Sequence, residues 1–146
     1  MTASLTREAI EPVLLGSRYH QFLGIQLEEV NDRSLTIRLP YNELFYTSAD
    51  GYIHGGILST LIDIAGYFEV FRFVNRPVPT IDLKIDFLRP GRAGDLLATA
   101  SVVKLGRTVS TADISVTDLS GKPIAIGRGL FSTREDDPAA ARTAQG

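Results

Sequence analysis

Residues Gly51-Tyr-Ile-His54-Gly55-Gly56-Ile-Leu-Ser-Thr-Leu-Ile-Asp63 join a pair of glycines to an apolar segment that carries a single acid. Paired glycines allow a tight turn, and a helix that begins there presents unpaired N–H groups and the positive end of its dipole. Such a helix end can stabilise a carbonyl oxygen that becomes negative. The stretch therefore predicts a candidate active site, although His54-Gly-Gly on its own is also typical of a plain loop that enters a helix.

The acid at position 63 needs an explanation, because Asp63 and Glu69 are the only charged residues between Gly51 and Phe71. A helix face turned to water normally carries several charges, so we expect Asp63 to be at least partly buried. The positions three and four residues away form a small, mildly polar stripe: Ser59, Thr60, Gly66 and Tyr67. Two interpretations stay open, since the stripe either faces solvent or leaves room beside Asp63 for a substrate.

The flanking segments predict the other elements. Apolar and polar residues alternate from Ile81 to Phe87, which predicts a strand, and Asn75-Arg-Pro-Val-Pro79 ends a helix that begins near Gly55 and reaches about Phe73. Further strands are expected at residues 25–30, 34–39, 95–105 and 107–117 and in a segment ending near Ser132, with a short N-terminal helix and a loop over 44–52. Short turns make these strands antiparallel. The order predicts an α+β fold with one long central helix and a curved antiparallel sheet of about five to six strands.

Length and composition fit one globular domain. The chain has 146 residues, of which 44% are hydrophobic and 22% charged. We expect a single domain over residues 1–133, followed by a disordered tail at 134–146 that is polar or small in composition. The formal net charge is −2, from 15 basic and 17 acidic residues without a basic stripe, so no nucleic-acid partner is expected.

Targeting and metal-binding signals are lacking in this sequence. The N-terminal segment has acids where a signal peptide needs an apolar core, and no apolar run approaches the length of a bilayer span. We therefore expect a soluble cytoplasmic protein without a membrane partner. The chain has no cysteine and only two histidines, His20 and His54, so we expect neither a metal nor a cofactor.

The motif Gly51-x-x-His54-Gly-Gly, with Asp63 seven residues after Gly56 and with Thr80-Ile-Asp-Leu-Lys-Ile-Asp-Phe-Leu-Arg-Pro, resembles the hotdog-fold acyl-CoA thioesterases of the phenylacetate-degradation (PaaI-like) type. The resemblance covers about Phe22 to Ser132. It implies that Asp63 is the catalytic acid, that the Gly55 N–H polarises the thioester carbonyl and that Thr80 orients the attacking water.

Two further assignments concern the loop before the helix. Family members commonly have an asparagine three residues before the first glycine of the motif, and Ser48 occupies that place here. Serine is shorter and offers one hydroxyl instead of an amide, so the function of the asparagine is lost, relayed through water or taken by another group. We assign His54 mainly to shaping the loop.

Helix geometry adds an argument that does not depend on the resemblance. Gly55 and Asp63 are eight residues apart, which corresponds to roughly 12 Å along a helix. One thioester carbon does not easily contact both, whereas two helices lying antiparallel would bring Gly55 of one chain to Asp63 of another. We therefore predict a two-fold dimer as the minimal catalytic unit, and the resemblance implies a homodimer or homotetramer. Asp63 acts either as a general base or as a nucleophile.

The predicted substrate is an acyl-CoA with an aromatic or a short to medium-length acyl group. Its predicted contacts are Gly56, Tyr52, Tyr67, Arg89, Arg92, Lys104 and Arg107, the four cations being candidates for the CoA phosphates. Aromatic residues near the helix are candidates for the acyl pocket: Phe45, Tyr46, Tyr52, Tyr67 and Phe71. Three alternatives stay open: a hydroxyacyl-thioester dehydratase using His54 and Asp63, a non-catalytic acyl-CoA binding dimer, and a structural homo-oligomer.

Overall fold

The computed structural model describes residues 3–135, which form a six-stranded antiparallel sheet and one long helix. The helices are α1 (Arg7–Gly16), α2 (Arg18–Leu23) and α3 (Gly55–Val74), and a 3-10 turn spans Glu43–Phe45. The strands are β1 (Gln26–Val30), β2 (Leu35–Leu39), β3 (Thr80–Phe87), β4 (Leu96–Lys104), β5 (Val109–Asp118) and β6 (Pro123–Ser132). Along the sheet the strand order is β1-β2-β4-β5-β6-β3, so β1 and β3 are the two edge strands. The expected α+β fold is confirmed.

The N-terminal segment forms two short helices, whereas the sequence predicted one. The break lies at Ser17, whose backbone is extended and whose hydroxyl accepts a weak hydrogen bond from the His20 N–H at 3.5 Å. Serine favours this capping position because its side chain can satisfy an N–H that has no partner within the helix. Gly24 then ends α2 in the left-handed conformation, with φ of 78°. Of the tail predicted at 134–146, only Arg134 and Glu135 lie within the described residues.

Helix α3 lies across the sheet with its apolar side against the inner face. Its end is set by Asn75, which adopts the left-handed conformation with φ of 52°. Small residues let the helix approach the strands closely: a Cβ at Gly66 would lie 2.8 Å from the Phe131 ring. Gly66 therefore faces the sheet, and its predicted place in the open polar stripe is wrong. The other members of that stripe, Ser59, Thr60, Asp63 and Tyr67, are partly exposed.

Among residues 3–135, strand β3 pairs only with β6, and its other edge is open. The predicted alternation is present: Ile85 pairs with Gly127, whose Cα faces Ile62 of α3, so Ile85 lies on the helix side of the sheet. The helix does not cover this side completely. Ile81 and Phe87 remain 55% and 56% exposed, so an apolar margin runs along the open edge of the sheet.

Within 3–135, α3 is the longest helix, and neither it nor any other is long and apolar enough to cross a bilayer. The same part of the chain contains no group of three or more His, Cys, Asp or Glu side chains arranged to hold a metal ion.

Candidate functional site

The loop before α3 fixes the position of the first helical turn. The His54 N–H donates to the Phe45 carbonyl at 2.9 Å, and the Ile53 N–H donates to the Gly91 carbonyl at 2.9 Å. Gly51 adopts φ of 71°, which a side chain would strain. The imidazole of His54 makes no capping hydrogen bond and is exposed. The structure thus places His54 at the helix entry, where its backbone makes the contacts.

The first turn of α3 leaves two backbone donors open. The N–H groups of Ile57 and Leu58 both donate to the His54 carbonyl, at 3.0 and 3.3 Å. Those of Gly55 and Gly56 have no acceptor within the described part of the chain. The Ser59 hydroxyl donates to the Gly55 carbonyl at 2.8 Å and ties this turn together. Two adjacent N–H groups at a helix N-terminus can stabilise a developing negative charge.

Asp63 lies two turns further along α3, on the same open stripe. The Thr80 hydroxyl donates to Asp63 Oδ1 at 2.7 Å, which joins the helix to the first residue of β3. The other carboxylate oxygen, Oδ2, has no hydrogen-bond partner among residues 3–135. The side chain is only partly exposed, in agreement with the expectation that it is at least partly buried. This arrangement holds the carboxylate in one orientation and leaves one oxygen free to contact a water molecule or a substrate.

Within one chain the two parts of the site remain apart. Eight residues of α3 separate Gly55 from Asp63, a rise of roughly 12 Å. Strand β3 runs in the opposite direction to α3, with Thr80 beside Asp63 and Phe87 beside Gly55. A Cβ at Gly55 would lie 3.3 Å from the Phe87 ring. The sequence did not predict this contact of Phe87, because alternation alone made it one more apolar residue of the strand.

An apolar groove of about 430 Å³ opens beside Gly55. It is lined by Tyr52, Ile53, Leu58, Phe87, Leu88, Arg89, Pro90 and Gly91 as well as Gly55. The Arg92 guanidinium lies 5.1 Å from the centre of the Tyr52 ring. Tyr52 and Arg89 therefore lie together at the groove, with Arg92 next to them.

The other aromatic candidates lie elsewhere. Tyr67 stacks on Phe71 with ring centres 6.1 Å apart, and burial raises the pKa of Tyr67. Phe45 is buried against Phe22, and the Tyr46 hydroxyl donates to the Arg92 carbonyl at 3.2 Å. These residues do not line the groove that contains Tyr52. A single chain thus brings together only some of the aromatic residues that the sequence suggested for the acyl pocket.

Ser48 lies on the exposed outer side of the loop, and its hydroxyl has no hydrogen-bond partner in the described residues. The loop around it is held by Asp50, which accepts hydrogen bonds from the Thr47 hydroxyl and from the Tyr52 N–H. Side chains at position 48 therefore face outward from this chain.

The predicted CoA-binding cations fall into two groups at different ends of the molecule. Arg89 and Arg92 follow β3 and lie near the groove beside Gly55. Lys104 and Arg107 lie at the turn between β4 and β5. Arg107 lines a cavity with two arginines that the sequence analysis did not select, Arg76 and Arg134. Their separation along the chain gave no signal that they would meet.

The second acid of α3, Glu69, has a different environment. It is 1% exposed and accepts hydrogen bonds from Arg72, at 2.7 Å from Nε and 3.0 Å from a terminal nitrogen. Burial raises the pKa of Glu69, whereas Arg72 and the Val102 N–H oppose that rise. Both oxygens are occupied, so Glu69 serves the fold.

Comparisons with known proteins find similar sequences and similar structures. The family model of the thioesterase superfamily matches residues 50–125, which include Gly55, Asp63 and Thr80. The chain is 42% identical over 128 residues to a putative esterase of Halobacterium salinarum, covering 80% of this chain and 84% of the relative. It is 31% identical over 132 residues to human acyl-coenzyme A thioesterase 13, covering 88% and 93%. A crystal structure of a thioesterase variant from Pseudomonas aeruginosa superposes with a TM-score of 0.79 at 26% identity, covering 89% and 94%.

Proposed function

This chain belongs to the thioesterase superfamily, and from that membership we propose that it hydrolyses the thioester of an acyl-CoA with Asp63 as the catalytic carboxylate. The hydrogen bond from Thr80 to Asp63 Oδ1, which leaves Oδ2 free on an open helix face, carries this proposal. Human acyl-coenzyme A thioesterase 13, at 31% identity, supports acyl-CoA as the substrate class.

In the proposed reaction, Asp63 removes a proton from a water molecule as that water attacks the thioester carbon. The carbonyl oxygen becomes negative and is stabilised by the Gly55 N–H, with the adjacent Gly56 N–H and the helix dipole contributing. The intermediate then collapses, the C–S bond breaks and CoA leaves as a thiolate. A thiolate is a good leaving group, so a separate general acid is not required. Direct attack by Asp63, with hydrolysis of the resulting anhydride, satisfies the same contacts.

The reaction needs two chains, because Gly55 and Asp63 of one chain are roughly 12 Å apart. The open edge of β3 supports a dimer: it offers unpaired backbone groups over eight residues and an uncovered apolar margin. Pairing of two β3 strands about a two-fold axis brings the Thr80 end of one strand to the Phe87 end of the other. Asp63 and Thr80 of one chain then face Gly55 and Phe87 of its partner.

The size of the apolar groove beside Gly55 supports a substrate with a compact acyl group. Its volume of about 430 Å³ lies in the lower part of the range for small-molecule pockets, which is about 300–1,000 Å³. Tyr52 and Phe87 give the groove aromatic walls, which suit either an aryl-acetyl or a short to medium-length aliphatic group.

The first experiment measures thiol release from a panel of aromatic and aliphatic acyl-CoAs with the wild type and Asp63→Asn. We expect kcat to fall by about 1,000-fold in Asp63→Asn, which is within the range for general acid–base catalysis. Affinity for a non-hydrolysable acyl-CoA thioether, measured by calorimetry, should stay unchanged because asparagine keeps the shape of the side chain.

Other results of this experiment would indicate other functions. Equal rates in both proteins would remove Asp63 from the reaction. Tight binding of acyl-CoA by the wild type without turnover would identify a non-catalytic binding dimer. A single turnover in heavy-oxygen water tests for a nucleophilic Asp63, since label in its carboxylate requires an anhydride that water opens at the aspartyl carbon, whereas water activated by a general base labels the product acid alone.

A further inference from the structure

The open edge of β3 carries alternating charges on the outer face of the sheet. Ile85 lies on the helix side, so its neighbours Lys84 and Asp86 point to the opposite, outer side. Lys84 Nζ donates to both carboxylate oxygens of Asp86, at 2.9 and 3.1 Å. Asp82 shares this face, so the outer side of the strand carries an acid, a base and an acid in alternate positions. The order of these charges restricts how a second copy of the strand can pair with the edge.

Two copies of β3 can pair about a two-fold axis in only a few registers. Residues opposite each other in an antiparallel pair project to the same face, so the axis passes through one residue, which faces its own copy. An axis through Lys84 would set it against the partner's Lys84, and an axis through Asp86 would set two aspartates together. Like charges directly opposite each other are destabilising. An axis through Leu83 or Ile85, on the inner face, instead places Lys84 opposite an acid of the partner.

A β-bulge distinguishes the two remaining registers. The pairing of β3 with β6 shifts by one residue between Thr80 and Asp82, so Ile81 is an extra residue in the strand. A bulge interrupts regular strand pairing. An axis through Leu83 would place the bulged Ile81 opposite the partner's Ile85, inside the paired segment. An axis through Ile85 centres the pairing on the part of β3 after the bulge, where the strand is regular.

The register centred on Ile85 also covers the apolar side chains of this edge. Leu83 of each chain then faces the partner's Phe87 on the helix side, and Ile81 lies beside the partner's Leu88. In the single chain Phe87, Ile81 and Leu88 are 56%, 55% and 47% exposed. Removing this apolar surface from water favours association.

The same register aligns the two halves of the proposed site. Asp63 accepts the hydrogen bond of Thr80, which lies two ladder positions beyond Leu83 along β6. The partner's Phe87, which adjoins Gly55 of its own chain, stands opposite Leu83. Two ladder positions correspond to roughly 7 Å. The carboxylate and the partner's Gly55 are thus closer than the roughly 12 Å within one chain, with room for a thioester and a water molecule between them.

We propose that Lys84 and Asp86 are positioning residues, which pair with Asp86 and Lys84 of the partner subunit about an axis through Ile85 and so set the register of the shared site. The inference rests on the proposed function and adds what aligns its two halves. The four side chains form a square in which each charge has an opposite charge on both neighbouring corners. Exposed ion pairs contribute little stability, so this square acts on register and on the choice of partner.

The first test reverses one charge at a time. Lys84→Asp and Asp86→Lys each replace two attractive contacts across the axis by two repulsive ones. We expect either change to raise the Kd of the dimer, measured by mass photometry in a dilution series, by about 30-fold. Asp82→Lys is the matched control, because it makes the same change on the same face but stands opposite the partner's uncharged Leu88. Its Kd should stay within about three-fold of the wild-type value.

The second test mixes the two weakened variants. A Lys84→Asp chain carries two acids at these positions and an Asp86→Lys chain carries two lysines, so a mixed dimer has only opposite charges across the axis. We expect the mixture to recover a Kd close to that of the wild type. At a dilution where half of each single variant is monomeric, kcat per chain should rise to the wild-type value on mixing, with KM unchanged. The doubly changed chain, Lys84→Asp with Asp86→Lys, should recover both quantities by itself.

The outcomes separate this inference from the proposed function. A dimer weakened by Asp82→Lys but not by Asp86→Lys would move the axis to Leu83 and contradict the register. A monomeric wild type, unchanged Kd values in all variants, or a mixture that does not recover would contradict it as well. If the Kd values follow the expected pattern but the wild type hydrolyses no thioester, the proposed function fails and the register stands. If dissociated variants hydrolyse acyl-CoA as fast as the wild type, the function stands, and Lys84 and Asp86 do not position the site.

Discussion

Helix α3 carries two carboxylates, Asp63 and Glu69, in environments that differ sharply. Glu69 is buried, and both of its oxygens accept hydrogen bonds from Arg72. Asp63 is partly exposed, and Thr80 occupies only one of its oxygens. A carboxylate whose bonds are all made within its own chain stabilises the fold, whereas one that is oriented but incompletely bonded can act on another molecule. The difference between these two acids is the main reason for assigning the chemistry to Asp63.

The largest effect should come from breaking the buried ion pair of Glu69 and Arg72. Glu69→Leu leaves Arg72 buried without a counter-charge, and we expect the free energy of unfolding to fall by about 3–5 kcal/mol. Asp63→Asn should change it by less than about 0.5 kcal/mol, because the site is partly exposed and the shape is kept. Urea unfolding of both variants at one fixed protein concentration measures the contrast.

The double variant Glu69→Leu with Arg72→Met is the control for that contrast. It removes both charges, and we expect it to recover most of the stability lost in Glu69→Leu. Thioester hydrolysis by the folded double variant should match the wild type. A double variant as unstable as Glu69→Leu would mean that the loss comes from packing instead of an unpaired charge.

The sequence predicted those parts of this contrast that depend on residues close together in the chain. It did not predict the parts that depend on contacts between distant residues. The helix from Gly55, the alternation in β3 and the partial burial of Asp63 follow from local sequence patterns, and all three were predicted. Arg72 lies three residues after Glu69, a spacing that permits an ion pair, but the same spacing occurs in many exposed pairs. Burial of Glu69 depends on strands that lie far away in sequence.

Other parts of the fold also depend on long-range contacts. The sequence placed Gly66 in the open stripe because spacing from Asp63 was the only guide, whereas Phe131 determines that it faces the sheet. The edge position of β3 results from the strand order, which short segments do not encode. The meeting of Arg76, Arg107 and Arg134 has the same cause, since each comes from a different connection of the sheet.

The second prediction concerns the open edge that would complete the site around Asp63. Ile81→Lys places a charge on an apolar margin that is already 55% exposed, so the single chain should fold normally. Charged edge residues oppose strand pairing, and a monomer lacks the partner's Gly55 N–H. We expect the molar mass from light scattering to fall by half or more and kcat to drop by about 100- to 1,000-fold, the effect of losing an oxyanion donor.

Val103→Lys is the matched control for the edge. Val103 is 52% exposed and lies near the end of β4, away from the open edge of β3, so the same change should leave molar mass and kcat unaltered. A monomeric Ile81→Lys protein with full activity would contradict the shared site and would require Asp63 to work with donors of its own chain.

The smallest effect should come from the hydroxyl that orients Asp63. Thr80→Val keeps the branched shape but removes the donor to Oδ1, and we expect kcat to fall by about ten-fold with KM unchanged, the contribution of a single hydrogen bond. Thr80→Ser retains the hydroxyl and should keep most of the activity. If serine loses as much activity as valine, the hydroxyl alone does not position Asp63, because serine keeps the hydroxyl and lacks only the methyl group. Since Thr80 is exposed in the single chain, neither change should lower the free energy of unfolding as much as Glu69→Leu does. Thr80 would then orient a reactive acid, whereas the Arg72 bonds to Glu69 stabilise the fold.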